Sequence, residues 1–180
     1  MKGVVFTNLF ELVESEFGYE TLDRVLEKCE LENDGAYTSV GTYTCGELVQ
    51  IVSALSEELN MPIPDLIKFF GGYLFGQFFN AHADMLTEYT TAFDLLLAVE
   101  EIIHVEVKKL WAHAELPTFE YERPSDSELV MIYQSTRPFA DLCEGLIQAC
   151  VEHYDEPIEI RRENISPDGT SARFHLCLTC

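Results

Sequence analysis

Positive charge is what this chain has least of. Lys and Arg number 11 against 32 Asp and Glu, giving a net charge of −21. A surface of that sign repels polyphosphate and anionic lipid, which argues against nucleic-acid and membrane partners. It suits a protein that docks on a basic patch of another. Long apolar runs are also lacking. The longest uncharged stretch, residues 69–83, is too short to span a bilayer and is interrupted by Gly71, Gly72, Gln77 and Asn80. The early segment VVFTNLFELVESEF carries Glu11, Glu14 and Glu16 among its apolar positions, so it does not read as an export signal. The expectation is a cytoplasmic protein, and its six cysteines are then free thiols rather than a disulfide framework. No segment is rich enough in Pro, Gly or Ser to act as a linker and no repeat is present, so residues 1–180 read as a single domain. With 47% hydrophobic and 12% aromatic residues the chain can bury a core and enclose a ligand.

The apolar periodicity orders the chain. Val5, Phe6, Leu9, Phe10, Leu12, Val13 and Phe17 recur at helical spacing, and Gly18 ends the run. A second helix covers residues 21–31, and a third starts near Thr44 and Glu47 with Leu48, Ile51, Val52, Leu55 and Leu59 inward. After Pro62 and Pro64, the run DLIKFFGGYLFGQFF is apolar almost all round and should be buried on most sides; its Gly71-Gly72 pair marks a bend or a close approach. A short helix may be read at residues 85–90 before a long one over residues 92–111. Pro117 cannot continue a helix. FEYER and ELVMIYQS then read as strands across a turn at Pro124-Ser125-Asp126, followed by a helix over residues 139–154 and a hairpin, IEIRRENI and SARFHLCLT. The expected class is α+β: an N-terminal helical part, then an antiparallel sheet with an inserted helix.

Two features carry chemistry. In the helix over residues 92–111, Leu96, Val99, Ile103, Val107 and Leu110 form an apolar stripe at about 100° per residue. His104 sits at its margin, among Phe93, Leu97, Val107 and Trp111. A neutral imidazole held there is a good ligand for iron, zinc or copper, although such a histidine can also be a core residue satisfied by a hydrogen bond. The second feature is Tyr133-Gln134-Ser135-Thr136-Arg137. In extended chain Tyr133, Ser135 and Arg137 share a face, two hydroxyls and a guanidinium suited to carboxylates; the alternative pairs Arg137 with a surface acid. Together with the helix lined by Phe69, Phe70, Leu74, Phe75 and Phe78, these features make up a haem site. The histidine would bind iron, the apolar walls the porphyrin, and the donor array the propionates.

Along its whole length the chain resembles the haem-nitric oxide/oxygen binding (H-NOX) domains, related to the haem domain of soluble guanylate cyclase. The hallmark Y-x-S-x-R is present as Tyr133, Ser135 and Arg137. The proximal histidine of the family falls on His104 within IIHVEVKKL, and the proline that presses on the porphyrin falls on Pro117. The resemblance implies an α+β fold enclosing haem b (iron protoporphyrin IX), and a non-enzymatic sensor of a diatomic gas. Oxygen-binding members offer bound O₂ a distal tyrosine; the matching position here is Leu142, with Leu74 and Leu9 where other polar partners can occur. A pocket of Val5, Leu9, Leu74, Phe78, Leu142 and Leu146 implies NO and CO binding with O₂ excluded, unless a small rotation of its helix brings the Tyr73 hydroxyl near. The implied mechanism weakens the bond between iron and His104 when NO binds. The His104 helix then shifts, and the porphyrin relaxes from the distortion imposed by Val5 and Pro117. Stand-alone domains of this family act in trans on a histidine kinase or on a cyclic-di-GMP enzyme, a diguanylate cyclase or phosphodiesterase.

Other residues are weaker candidates. His175, Cys177 and Cys180 could form part of a zinc site, with free thiols as the alternative. Cys143 and Cys150 read as core residues or redox sensors. His113 is a rival ligand in sequence, His82 and His153 read as surface or boundary residues, and Glu100 and Glu101 as solvated or hydrogen-bonding neighbours. The rival functions are an O₂-binding haem protein, an NO-consuming haem enzyme, and a haem-free module whose Tyr133, Ser135 and Arg137 hold another dicarboxylate or brace the fold.

Overall fold

The computed structural model describes residues 1–110 and 114–179. Among the described residues, eight α-helices and four strands follow the expected order. By contacts the chain divides into two compact units, residues 1–70 and 71–180, with the division falling inside one helix.

In the first unit, helices α1 (Gly3–Phe17), α2 (Tyr19–Glu27) and α3 (Cys45–Leu59) pack their apolar faces together. Phe6, Leu9, Leu12 and Val13 of α1, Leu22 and Val25 of α2, and Leu48, Ile51 and Leu55 of α3 are all buried. α3 begins where the sequence predicts it to. The Thr44 hydroxyl accepts from the Glu47 N–H, and the buried Glu47 carboxylate takes hydrogen bonds from Thr44 Oγ1 (3.1 Å) and Tyr37 Oη (2.5 Å). One side chain thus satisfies a helix start and fixes the preceding loop.

α4 (Ile63–Ala81) follows. It is less thoroughly buried than its sequence predicts: Leu66, Phe70 and Gly71 are buried, Leu74, Phe75, Phe78 and Phe79 half-buried, and Phe69 is 41% exposed. Of the glycine pair, Gly71 makes the close approach. A Cβ added there would stand 2.6 Å from the Leu142 carbonyl oxygen and 3.0 Å from the Leu146 nitrogen, whereas at Gly72 the nearest atom would be 3.9 Å away. Gly71 therefore lets α4 lie directly on the backbone of α8.

In the second unit, α5 (Ala83–Leu86) and α6 (Ala92–Leu97) lead to a π-helical turn, Val99–Ile103, and then α7 (His104–Leu110). The uninterrupted helix expected over residues 92–111 is thus corrected. The Ala98 carbonyl accepts from both Ile102 N (3.0 Å) and Ile103 N (3.2 Å), and the His104 N–H reaches back to the Val99 carbonyl, so an extra residue is accommodated immediately before His104. The apolar stripe fades across this widening: Leu96 is buried, Val99, Ile103 and Val107 are half-buried, and Ile102 and Val105 are exposed.

Four strands form an antiparallel sheet in the order β1-β2-β4-β3: β1 (Thr118–Ser125), β2 (Glu128–Gln134), β3 (Ile158–Asn164) and β4 (Ser171–Leu178). Helix α8 (Ala140–His153) is inserted between β2 and β3. The first turn lies at Asp126-Ser127, later than expected, because an irregularity between Glu122 and Ser125 takes up Pro124, which has no N–H for the ladder. Leu129, Met131 and Tyr133 of β2 and Ala172, Phe174 and Leu176 of β4 alternate onto one buried face, and Cys143, Ile147 and Cys150 of α8 belong to the same core. Arg162 of β3 fastens α8 to the sheet through Asp141 (2.5 Å) and Glu144 (3.1 Å). No helix among the described residues is long and apolar enough to cross a membrane.

Two outcomes follow from this packing. Gly71→Ala, forced against the α8 backbone, is expected to cost about 1–3 kcal/mol in thermal or urea unfolding, while Gly72→Ala should leave stability nearly unchanged. Burial pushes the Cys143 thiol well up and the Cys150 thiol to about 12. Because thiolate is the reactive form, both should resist iodoacetamide in the folded protein and label once it is unfolded, as mass spectrometry of the alkylated peptides would record.

Candidate functional site

His104 opens α7 directly behind the π turn, with its side chain 12% exposed. Removal from water lowers its pKa from the ordinary value, against the pull of the Glu100 carboxylate, which favours the cation. The ring nitrogen Nδ1 lies 3.2 Å from Glu100 Oε2. An ionised carboxylate only accepts, so this contact assigns the proton of the neutral ring to Nδ1 and the lone pair to Nε2. Among the described residues Nε2 has no hydrogen bond. The ring lies against Phe119, with centroids 5.8 Å apart.

Phe119 joins the two features singled out in the sequence. It is the register partner of Tyr133 across β1 and β2, and the two rings are 5.8 Å apart. Tyr133 is 1% exposed, burial pushes its pKa up, and its hydroxyl donates to the Arg137 carbonyl at 3.4 Å. Ser135 Oγ accepts from the Arg137 N–H at 3.1 Å. The sharing of one strand face by Tyr133, Ser135 and Arg137 is corrected here. β2 ends at Gln134, and residues 135–137 leave the ladder, so a tight bend rather than strand alternation gathers the three.

The Arg137 guanidinium is occupied by a carboxylate. Nη2 pairs with the Glu115 side chain, and Nη1 donates to the Glu115 carbonyl at 3.4 Å. Arg137 is 22% exposed and its partner 66%. A pair with so exposed a member contributes little, about 0–1 kcal/mol, so another carboxylate can replace Glu115 at small cost. Pro117 sits half-buried between Glu115 and Phe119, just before β1.

The residues expected to wall the site fall in both units. Val5, half-buried, and Leu9, buried, lie on α1 of the first unit. Leu74 and Phe78 are half-buried on α4, on the side that carries Gly71; Leu142 and Leu146 are half-buried on α8, beside Gly145, against which Gly71 packs. None of these side chains can donate a hydrogen bond. Tyr73 is half-buried next to Leu74. On β4, His175 is exposed and Cys177 half-buried. His82 packs on Phe78 (4.6 Å between centroids) and His153 on Phe79 (4.1 Å), both at the boundary of the core. Trp111, His113 and Cys180 lie outside the described residues.

Among the described residues no three His, Cys, Asp or Glu side chains converge as a metal site. His104 offers a single imidazole nitrogen, which would suit the iron of a macrocycle. A dry imidazole with Nε2 available, an arginine that holds and can exchange a carboxylate, and half-buried aromatic and aliphatic side chains all fit haem. No local pattern marks Glu115 or Phe119 as part of the site. The signal for Glu100 was its place four residues before His104.

The family model described as Haem-NO-binding (HNOB) matches residues 2–162. No curated protein matches the chain. Among solved structures it is similar to an H-NOX protein from Shewanella woodyi, bound to IWP-051 in the Fe(II)CO state: 44% identity, TM-score 0.85, 99% of this chain and 95% of that one. It is similar to an unliganded Fe(II) H-NOX protein from K. algicida at 36% identity and TM-score 0.93, over 100% and 97% of the two chains. An H-NOX protein from S. oneidensis in the Fe(II)NO state matches at 28% identity and TM-score 0.90, over 100% of each chain. By the span of the family match and the identity of these relatives, the chain belongs to the H-NOX family of haem-NO-binding domains.

Proposed function

We propose that this chain is a non-enzymatic gas sensor that binds haem b through His104, responds to NO and CO, and does not retain O₂. The observation that carries the reading is His104 itself, shielded from water and held through Nδ1 by Glu100 so that Nε2 is presented as the ligand atom. Haem, when bound, supplies the ferrous iron at which a diatomic gas coordinates. The protein supplies everything else. Arg137 would exchange Glu115 for a propionate, with the Tyr133 and Ser135 hydroxyls beside it, and Phe119, two residues after Pro117, presents its ring to His104. Leu74, Phe78, Leu142 and Leu146 provide no donor to favour the partial charge of bound O₂, on which NO and CO depend far less. Relatives solved in Fe(II)CO and Fe(II)NO states support the binding of these two gases.

Because α7 begins at His104, a change in the pull on that imidazole acts on the helix and hence on the surface offered to a partner. A differential affinity of ~1–3 kcal/mol between two states is enough for such a switch. We infer that the chain is cytoplasmic and that its output acts in trans, on a histidine kinase or a cyclic-di-GMP enzyme (diguanylate cyclase or phosphodiesterase). The net charge of −21 favours a basic docking face on that partner. The Arg137–Glu115 pair favours a second reading, a haem-free module in which the array braces the fold.

Absorption spectra of the reduced protein separate these readings. A Soret band unchanged in air and shifted by NO is expected, with the histidine-dependent features lost in His104→Gly. A stable change in air would overturn O₂ exclusion and point to Tyr73; no haem band after reconstitution would leave the bracing role. Arg137→Ala should weaken haem retention about tenfold or more, as loss of a charge-assisted bond worth about 1.5–3 kcal/mol implies, measured by haem transfer to an acceptor protein.

A further inference from the structure

Glu100 has two partners on two different elements. Its Oε2 lies 3.2 Å from His104 Nδ1 and accepts the Phe119 backbone N–H at 3.1 Å. The carboxylate starts from the π turn, and Phe119 stands near the start of β1, two residues beyond Pro117. The other side of Pro117 is tethered as well, because Glu115 is held by Arg137. The segment 115–119 is thus fastened on both sides of its proline, once to the histidine helix and once to the end of β2.

We propose that Glu100 is a positioning residue that orients the His104 imidazole toward iron and mechanically couples it to the backbone beside Pro117. The inference rests on the haem reading above. A carboxylate that accepts from Nδ1–H fixes the ring orientation, keeps Nε2 as the donor and raises its basicity. Because the same oxygen also accepts from Phe119, the imidazole cannot turn or retreat without disturbing the hydrogen bond that anchors the start of β1. A solvated acid on a helix surface would need neither contact. Glu100 is 29% exposed, and both contacts are made by the one oxygen, Oε2, to the ring and to the strand. The wide turn before His104 is what carries Glu100 to this place: the extra residue is taken up between Ala98 and Ile103, the stretch that contains it.

The test uses the full-length haem-loaded protein with Glu100→Gln and Glu100→Ala. Two readouts report the two partners: the iron–histidine stretching band in the resonance Raman spectrum of the reduced protein, and hydrogen exchange of the Phe119 amide by NMR. Glutamine keeps an oxygen acceptor without the charge, and alanine removes both. The stretching frequency should fall from wild type to Gln to Ala, and the Phe119 amide should exchange at least tenfold faster in Ala but little faster in Gln. If Ala fails to fold or to hold haem, Gln decides through the frequency alone. A lowered melting temperature with an unchanged frequency would make Glu100 merely structural and overturn the inference, leaving the sensor reading intact. A wild-type protein that takes up no haem would overturn both.

Discussion

The register of β1 on β2 is the constraint on which the candidate site depends. It sets Phe119 opposite Tyr133, and every other relation follows from that pair. On one side, the Phe119 ring lies against His104 and its N–H against Glu100. On the other, Tyr133 leads directly into the bend that carries Ser135 and Arg137. A slip of one residue would turn Phe119 to the opposite face of the sheet and separate the histidine from the arginine array. The register is strongly specified because Leu129, Met131 and Tyr133 must all enter the core beneath α8.

A second constraint is the widening of the helix before His104. Regular α-helix would have continued the apolar stripe of Leu96 through Val99, Ile103 and Val107. The π turn instead leaves those last three half-buried and stations Glu100 between ring and strand. Such single-turn departures are costly in hydrogen-bond geometry and concentrate at functional sites. Here the departure coincides with the proposed ligand, and α7 starts at that residue, so the helix is hinged where a pull would be applied.

Electrostatics decide what the arginine can do. With 32 acids and 11 bases, most arginines of this protein find a carboxylate, and Arg137 finds Glu115. Arg162, by contrast, is enclosed by Asp141 and Glu144, all three largely buried, and serves the packing of α8 on the sheet. The contrast in partner exposure distinguishes a bridge that belongs to the fold from one that is replaceable.

By itself the sequence determined the element order, the α+β class, the start of α3 at Thr44, the close approach within Gly71-Gly72, and the special character of His104 and of Tyr133-x-Ser135-x-Arg137. All of these are written in neighbours a few residues apart, where side-chain period, capping and turn chemistry act. Tertiary structure alone decided which glycine meets α8, that the helix widens before His104, that Ser135 and Arg137 leave the strand, and that Glu100 reaches Phe119 and Arg137 reaches Glu115. Those last contacts join residues 19 and 22 positions apart. Their geometry is set by how strands and helices pack, and no local period carries that information, since the same residues at the same spacing would be solvated acids and a surface arginine in a different register.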